Sequence, residues 1–328
     1  MFVLVLDIQI SKFTIEGVNH VEIDRSVNKI NGTAKIKLPT SAILRSGEEV
    51  KTVQTAKEIK RGDKVGIKLG YDNQLFQEFE GFVTFINYDM PLVIECEDNF
   101  FILREKQIAK SYKETDLNTV LTDILESTGI DFETGGLNLS IEKLLLATSQ
   151  GDAISRDEAL KGVFSRYGLT GYFDSNGKLF VGLQQGKTGT TVKYKLGWNT
   201  IDDTDLKFHK ADEIKLKVKA VFIDPDGSKI EVEAGDENGA IKTLFFYDVK
   251  DTAKLKELAE NELKKYKFDG FSGSVKTFLQ PFSDIAMIAD ITDNNFPDRT
   301  GKYFIEGVKT TFGESGGRKK IEIGAKIS

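Results

Sequence analysis

The chain has 328 residues, 40% hydrophobic and 29% charged, with 51 acidic against 45 basic side chains and a net charge of −6. That length exceeds one comfortable core and predicts two or three domains of ordinary globular composition. The acidic balance weighs against gripping nucleic acid through its phosphates, no run reaches the roughly 18 apolar residues of a membrane helix, and a lone Cys96 excludes an intrachain disulfide.

Met1 to Asp7 has no basic n-region and reads as a first strand rather than a signal peptide, so synthesis in a reducing cytoplasm is expected. Val21 and Ile23 alternate with Glu22 and Asp24, then Ala34, Ile36 and Leu38 with Thr33, Lys35 and Lys37, the pattern of half-buried antiparallel strands. Asn31-Gly32 is expected to supply a turn or bulge with positive φ. Pro39 stops the pairing, and the charge-mixed stretch Thr40 to Lys60 is long enough to predict a functional loop or small insertion. Strands around Val65 and Phe82 follow, joined by a turn at Asp72-Asn73.

The periodicity then changes. Leu117, Val120, Leu121, Ile124 and Leu125 predict a helix capped by Thr115 or Asp116 and stopped by Gly129. Ala159, Leu160, Val163, Phe164 and Tyr167 predict a second, opened by Ser155 and Glu158 at capping-box spacing and ended by Gly168. Both are too short to stand alone. Asn176-Gly177, between two short apolar runs, predicts a two-residue hairpin. From Thr190 the strand pattern returns, with a turn at Asp224-Pro225-Asp226-Gly227 and one helix from Asp251 to about Tyr266 whose inner face is Leu255, Leu258, Ala259 and Leu263.

One pattern is written twice. Gly62-Asp63-Lys64-Val65, Glu80-Gly81-Phe82-Val83-Thr84 and Leu92-Val93-Ile94-Glu95 have counterparts in Ser283-Asp284-Ile285-Ala286, Glu306-Gly307-Val308-Lys309-Thr310 and Lys320-Ile321-Glu322-Ile323. Internal similarity decides architecture early. The expected fold is mainly β with an α+β insertion, two tandem related β-barrel-like modules bridged by a small α+β region. The expected regions are 1–98 (first module), 99–189 (α+β connector) and 190–328 (second module with one inserted helix).

Chemical motifs nearly appear and then fail. Gly313-Glu314-Ser315-Gly316-Gly317 spells Gly-x-Ser-x-Gly, but strands flank it and His20 and His209 both precede it, so a hairpin tip is expected. Gly182 to Thr188 resembles a phosphate loop one residue short and leads into a strand, not a helix. One Cys and two distant His cannot make a zinc set, and the oxygen-rich Asp293, Asn294, Asn295 and Asp298 lack calcium-loop spacing. Asp202, Asp203 and Asp205 are expected to face water. Lys215, Lys217 and Lys219 form the best polyanion row, although a solvated face or an edge guard is the commoner use; Arg318-Lys319-Lys320 reads as a hairpin flank and Phe245-Phe246-Tyr247 as core or interface. No catalytic residue, metal ligand or cofactor is expected, although a carboxylate pair cannot be located from sequence alone.

Val21 to Ser26, Thr33 to Pro39 and Gly301-Lys302-Tyr303-Phe304-Ile305-Glu306-Gly307-Val308 resemble the phage tail hub family, the late-control protein D group, to which contractile-tail baseplate hubs and the base of type VI secretion spikes are similar. The resemblance implies two β-barrel-like domains per chain and a homotrimeric ring. It also implies partners, a tail tube on one side and a spike or tail-tip protein on the other, around a channel through which DNA passes without sequence recognition. It places the chain in a virion tail baseplate, with no membrane insertion. Family members often carry a fused spike or lysing domain, and here Ser328 closes the second module, so spike and hydrolase are expected as separate chains. A carbohydrate-binding or wall-hydrolysing tail component stays open as the alternative, with Trp198 and the tyrosines as its residues; a monomeric adhesin is disfavoured by the absence of an export signal.

Overall fold

The period-two stretches of the first hundred residues form antiparallel strands. The computed structural model describes residues 3–327 apart from 47–48, 73, 138, 168, 183–188, 202–204, 224–227 and 247–249. Expectations at Asn73, Gly168, the phosphate-like loop after Gly182, Asp202-Asp203, the turn at 224–227 and Tyr247 therefore lie outside the described residues, as do the side chains of Phe245 and Asp298. The first region holds β1 (Leu4–Ile10), β2 (Phe13–Ile15), β3 (His20–Ser26), β4 (Thr33–Leu38), a hairpin of β5 (Ser41–Ser46) and β6 (Glu49–Gln54), the short α1 (Thr55–Glu58), and a meander of β7 (Lys64–Tyr71), β8 (Gln74–Asn87) and β9 (Leu92–Glu97). The stretch expected as a loop or insertion at Thr40 to Lys60 is thus a separate hairpin and one helical turn.

Next come α2 (Phe100–Arg104), β10 (Gln107–Ile108), β11 (Lys110–Asp116), α3 (Leu117–Leu125), β12 (Phe132–Glu133), β13 (Ser140–Leu146), β14 (Ile154–Ser155), α4 (Arg156–Tyr167), β15 (Thr170–Phe173) and β16 (Leu179–Gly182). The apolar faces of α3 and α4 meet here, with Val120, Leu121, Ile124, Leu160 and Val163 fully buried in one cluster. Asp116 caps α3, its carboxylate accepting from Thr119 N–H at 3.0 Å and from the Thr119 hydroxyl at 2.7 Å. Arg156 donates to the free carbonyls of Ile124 and Glu126 at the other end, so the first residue of α4 closes the last turn of α3. The Ser155 hydroxyl donates to Asp157 at 2.6 Å, and among the described residues no bond of the expected capping box joins Ser155 to Glu158. At Asn176-Gly177 only Gly177 has positive φ, and Asp174 accepts from the N–H groups of Asn176 and Lys178. The turn is one held by an aspartate, longer than the two-residue form.

The last region holds β17 (Thr191–Lys195), β18 (Lys207–His209), β19 (Leu216–Ile223), β20 (Lys229–Gly235), β21 (Ala240–Phe246), α5 (Thr252–Tyr266), β22 (Gly270–Thr277), β23 (Ile288–Thr292), β24 (Gly301–Gly313) and β25 (Gly316–Lys326). Leu255 and Ala259 of α5 bury completely against Val218, Ala220 and Phe222 of the three-stranded sheet β20-β19-β21. These residues form a small hydrophobic cluster of their own.

The organising feature is a single sheet of thirteen strands, running β18-β22-β25-β24-β3-β4-β9-β8-β7-β1-β2 with β17 and β23 branching beside β24. Two three-strand antiparallel meanders lie within it: β7-β8-β9 and β23-β24-β25. The third strand of each pairs antiparallel with an earlier strand, β9 with β4 and β25 with β22. They differ at the other edge, where β7 meets β1 antiparallel and β23 meets β17 in parallel. The long β24 joins the two. It pairs with β23 over Gly301–Phe304, then with β3 from Gly307 to Gly313.

Replacing Asp116 by Ala removes the acceptor of the Thr119 N–H at the start of α3 and is expected to lower the stability of the chain. Urea unfolding of the full chain checks this; an unchanged midpoint would show that the cap carries no weight.

Candidate functional surfaces

Where β24 crosses to β3, four charged side chains distant from one another in sequence are buried together. Alternation on β25 puts Lys319 on the inward parity with Ile321 and Ile323, and alternation on β3 puts Arg25 with Val21 and Ile23. Glu78 arrives by a different device. The β7–β8 register slips between Ile67/Phe79 and Lys68/Gln77, leaving Glu78 as the extra residue of a bulge, which re-aims its carboxylate inward. Asp284 enters from the segment before β23.

Lys319 Nζ lies 2.8 Å from Glu78 Oε1, with both side chains wholly buried, and donates to the Ser283 carbonyl at 2.8 Å. The Thr310 hydroxyl donates to the other Glu78 oxygen at 3.2 Å. Arg25 Nη1 lies 2.6 Å from Asp284 Oδ1, although no guanidinium N–H is aimed well enough to count as a hydrogen bond. Asp284 also accepts from the N–H groups of Ser175 and Ile285. Burial alone raises a carboxyl, yet the Arg25 charge and these hydrogen bonds hold Asp284 below the usual carboxylate range. Burial pushes Glu78 up and Lys319 down, and their mutual attraction opposes both shifts.

Each pair joins the two meanders or their flanks: Glu78 on β8 to Lys319 on β25, and Arg25 on β3 to Asp284 before β23. Gly32 makes room for this. Its φ is not positive, contrary to the expectation at Asn31-Gly32; instead a Cβ there would lie 2.8 Å from Arg25 Cγ. Its N–H donates to Asp98 at 2.5 Å, and Asp98 accepts a second bond from Phe100 N–H at 3.0 Å. Burial still pushes Asp98 up to about 8.

The outward face of the same strands is solvated and ion-paired. Registers align Glu95, Lys35, Glu22, Thr311 and Arg318 across β9, β4, β3, β24 and β25. Lys35 pairs with Glu95 at 2.9 Å and Lys309 with Glu22 at 2.8 Å, so alternating signs cancel along the face. The row Lys217 and Lys219 is likewise spent internally, on Glu233 at 3.1 Å and Glu231 at 2.6 Å of β20. Both lysines sit on the central strand of their sheet, so the edge-guard reading does not apply to them.

Large apolar side chains break this polar surface at one place above all. Thr84 is the extra residue of a second bulge, between β8 and β9, and beyond it Phe85, Tyr88 and Met90 at the hairpin tip are 58%, 74% and 89% exposed. The other meander ends in the polar turn Glu314-Ser315, confirming Gly313 to Gly317 as a hairpin tip. Asp293 accepts from the N–H groups of Asn295 and Phe296, a self-contained turn. Among the described residues no group of three or more His, Cys, Asp or Glu is placed to hold a metal. Cys96 is buried in the core of the first meander, and burial pushes its thiol up, away from the reactive thiolate.

No family model and no curated protein matches the chain. Solved structures do. A 43 kDa prophage tail protein from Shewanella oneidensis aligns over 98% of both chains at 13% identity, with a TM-score of 0.66. The chain has the fold of phage tail proteins. A tail protein from Neisseria meningitidis aligns over 98% of this chain and 96% of its own at 11% identity and a TM-score of 0.66. A component of the type VI secretion system in E. coli, itself structurally similar to T4 bacteriophage tail proteins, aligns over 98% of this chain and 77% of its own, at 9% identity and a TM-score of 0.60.

Removing one partner of a buried pair leaves an uncompensated charge, so Lys319→Met is expected to cost about 3–5 kcal/mol, and Lys319→Met with Glu78→Leu to recover most of it. Denaturant unfolding of both variants and of Glu78→Leu alone decides; a double variant whose loss equals the sum of the two single losses would mean that the pair is not coupled. Asp98, with its pKa raised from 3.8 to about 8, binds a proton in the folded state that the unfolded state has lost, so its contribution to stability falls as pH climbs from about 4 to 8. Asp98→Asn is expected to flatten that slope in urea midpoints read across the window, and an unchanged slope would contradict it.

Proposed function

We propose that the chain is a structural baseplate hub of a phage tail or tail-like injection system, a homotrimer that joins a tail tube to a central spike around a channel. The carrying observation is the pair of three-strand meanders tied into one sheet through β24 and β3. Residues 1–98 and 190–328 act as the two related β modules and 99–189 as their connector in this reading. Three chains then present six similar units to a sixfold tube while remaining threefold toward a spike. The likeness to tail proteins supports the reading through fold.

The ion-paired outer face suits a channel wall. Paired charges of both signs leave little free positive potential, so DNA or protein passes without being held. The role is structural rather than catalytic, with no cofactor, and its setting is the virion tail baseplate.

Mass photometry of the purified chain, alone and with its spike protein, tests the trimer. A species three times the 36.6 kDa chain is expected. A monomer in both settings, particularly one that binds glycan through exposed Trp198, would favour the carbohydrate-binding alternative.

A further inference from the structure

The apolar hairpin tip and one groove elsewhere on the chain have complementary chemistry. The groove has a volume of about 680 Å³, within the roughly 300–1,000 Å³ of clefts that bury a ligand, and lies at the seam between the two meanders. Tyr71 lines it from the first and Leu4 from β1 beside it, Gly317 and Arg318 from the second, and Phe278 and Pro281 from the segment between β22 and β23. Its floor is tight: a Cβ on Gly317 would lie 2.6 Å from Leu279 and 3.1 Å from Leu4. Phe278 is 44% exposed, and the Arg318 guanidinium stands over its ring at 4.9 Å. Arg318 donates to the Gly317 carbonyl at 2.8 Å, but among the described residues no carboxylate lies within the 4.0 Å of an ion pair.

The tip offers what the groove lacks. Tyr88, Asp89 and Met90 project in sequence, two large apolar side chains around an acid. Asp89 accepts from the Asn87 amide at 2.7 Å and, among the described residues, has no cation within ion-pair distance. Tyr, Met, Phe and Arg are also the residue types enriched in interface cores.

We propose that the Tyr88-Asp89-Met90 tip of one chain seats in this groove of a second copy, Met90 and Tyr88 covering Phe278 and Leu4 while Asp89 pairs with Arg318. The proposal rests on the trimeric reading and names the surfaces that build it. Tip and groove are different patches, so the contact is heterologous and propagates from chain to chain until a ring closes. One tip buries less than the roughly 1,600 Å² of a standard interface, so it acts as the anchor of a wider contact.

The test uses full-length chains in sedimentation velocity, with near-UV circular dichroism to verify folding. Met90→Asp and Arg318→Glu, both at exposed or half-exposed positions, are each expected to weaken self-association at least tenfold. Mixed one to one, they are expected to form a heterodimer, since one intact tip meets one intact groove. Asp89→Arg and Arg318→Glu combined in one chain are expected to restore the assembly that either alone weakens. Folded variants that assemble like the parent, a mixture that forms no heterodimer, or a charge swap without rescue would each overturn the contact and leave the trimer standing. A parent chain that stays monomeric at every concentration would instead remove the trimer, and the contact with it.

Discussion

Two buried ion pairs at one strand crossing set the relation between the halves of this molecule. A sheet that runs unbroken through β24 into β3 fixes which strands neighbour each other, but sheets twist and bend over a range of angles. Lys319–Glu78 and Arg25–Asp284 narrow that range, because each pair tolerates little separation once water is excluded. Burying four charges costs several kcal/mol per ion before attraction offsets it, so such pairs are weak sources of net stability. Their value lies in what they forbid. Any rotation of one meander against the other would leave a lysine, an arginine or two carboxylates buried alone.

This places the demands of assembly on a rigid frame. Lys35–Glu95 and Lys309–Glu22 pair across strands on the outward face, the inward face carries the ionic crossing among its apolar side chains, and the apolar tip and the groove stand on the surface. The proposed hub role, holding a tube and a spike in register, would need two β units at a constant mutual angle, a constraint of the kind the crossing imposes. The α+β region contributes in a different way. Ser175 donates its N–H to Asp284 from the hairpin between β15 and β16, and Tyr172 and Phe180 enter the core of the second meander, so this hairpin is wedged against the junction rather than hung beside it.

Much of the fold was legible because local rules agreed with the outcome. Period two marked β3, β4, β9 and β25, Asp116 and Asp251 marked helix starts, and Gly313 to Gly317 read as a hairpin tip. The ionic crossing was half legible. Parity with Ile321 and Ile323 points Lys319 inward and parity with Ile23 points Arg25 inward, a signal that the basic run Arg318-Lys319-Lys320 masked. Glu78 carried no such signal, since a bulge shifts parity where it occurs and nothing in Gln77-Glu78-Phe79 announces one. Pairing of β24 with β3, nearly three hundred residues apart in the chain by their numbering, lies beyond any local pattern. Gly32 misled for a related reason: its lack of a side chain serves a neighbour distant in sequence rather than its own backbone angle.

The central claim is that each chain carries two β units held at one angle so that three chains imitate six. Electron cryomicroscopy of the purified assembly tests this most directly. The account predicts threefold rings in which six similar β lobes alternate around a channel, with the paired-charge face of the long sheet turned inward. Rings of any other order, or three lobes separated by unrelated density, would contradict it.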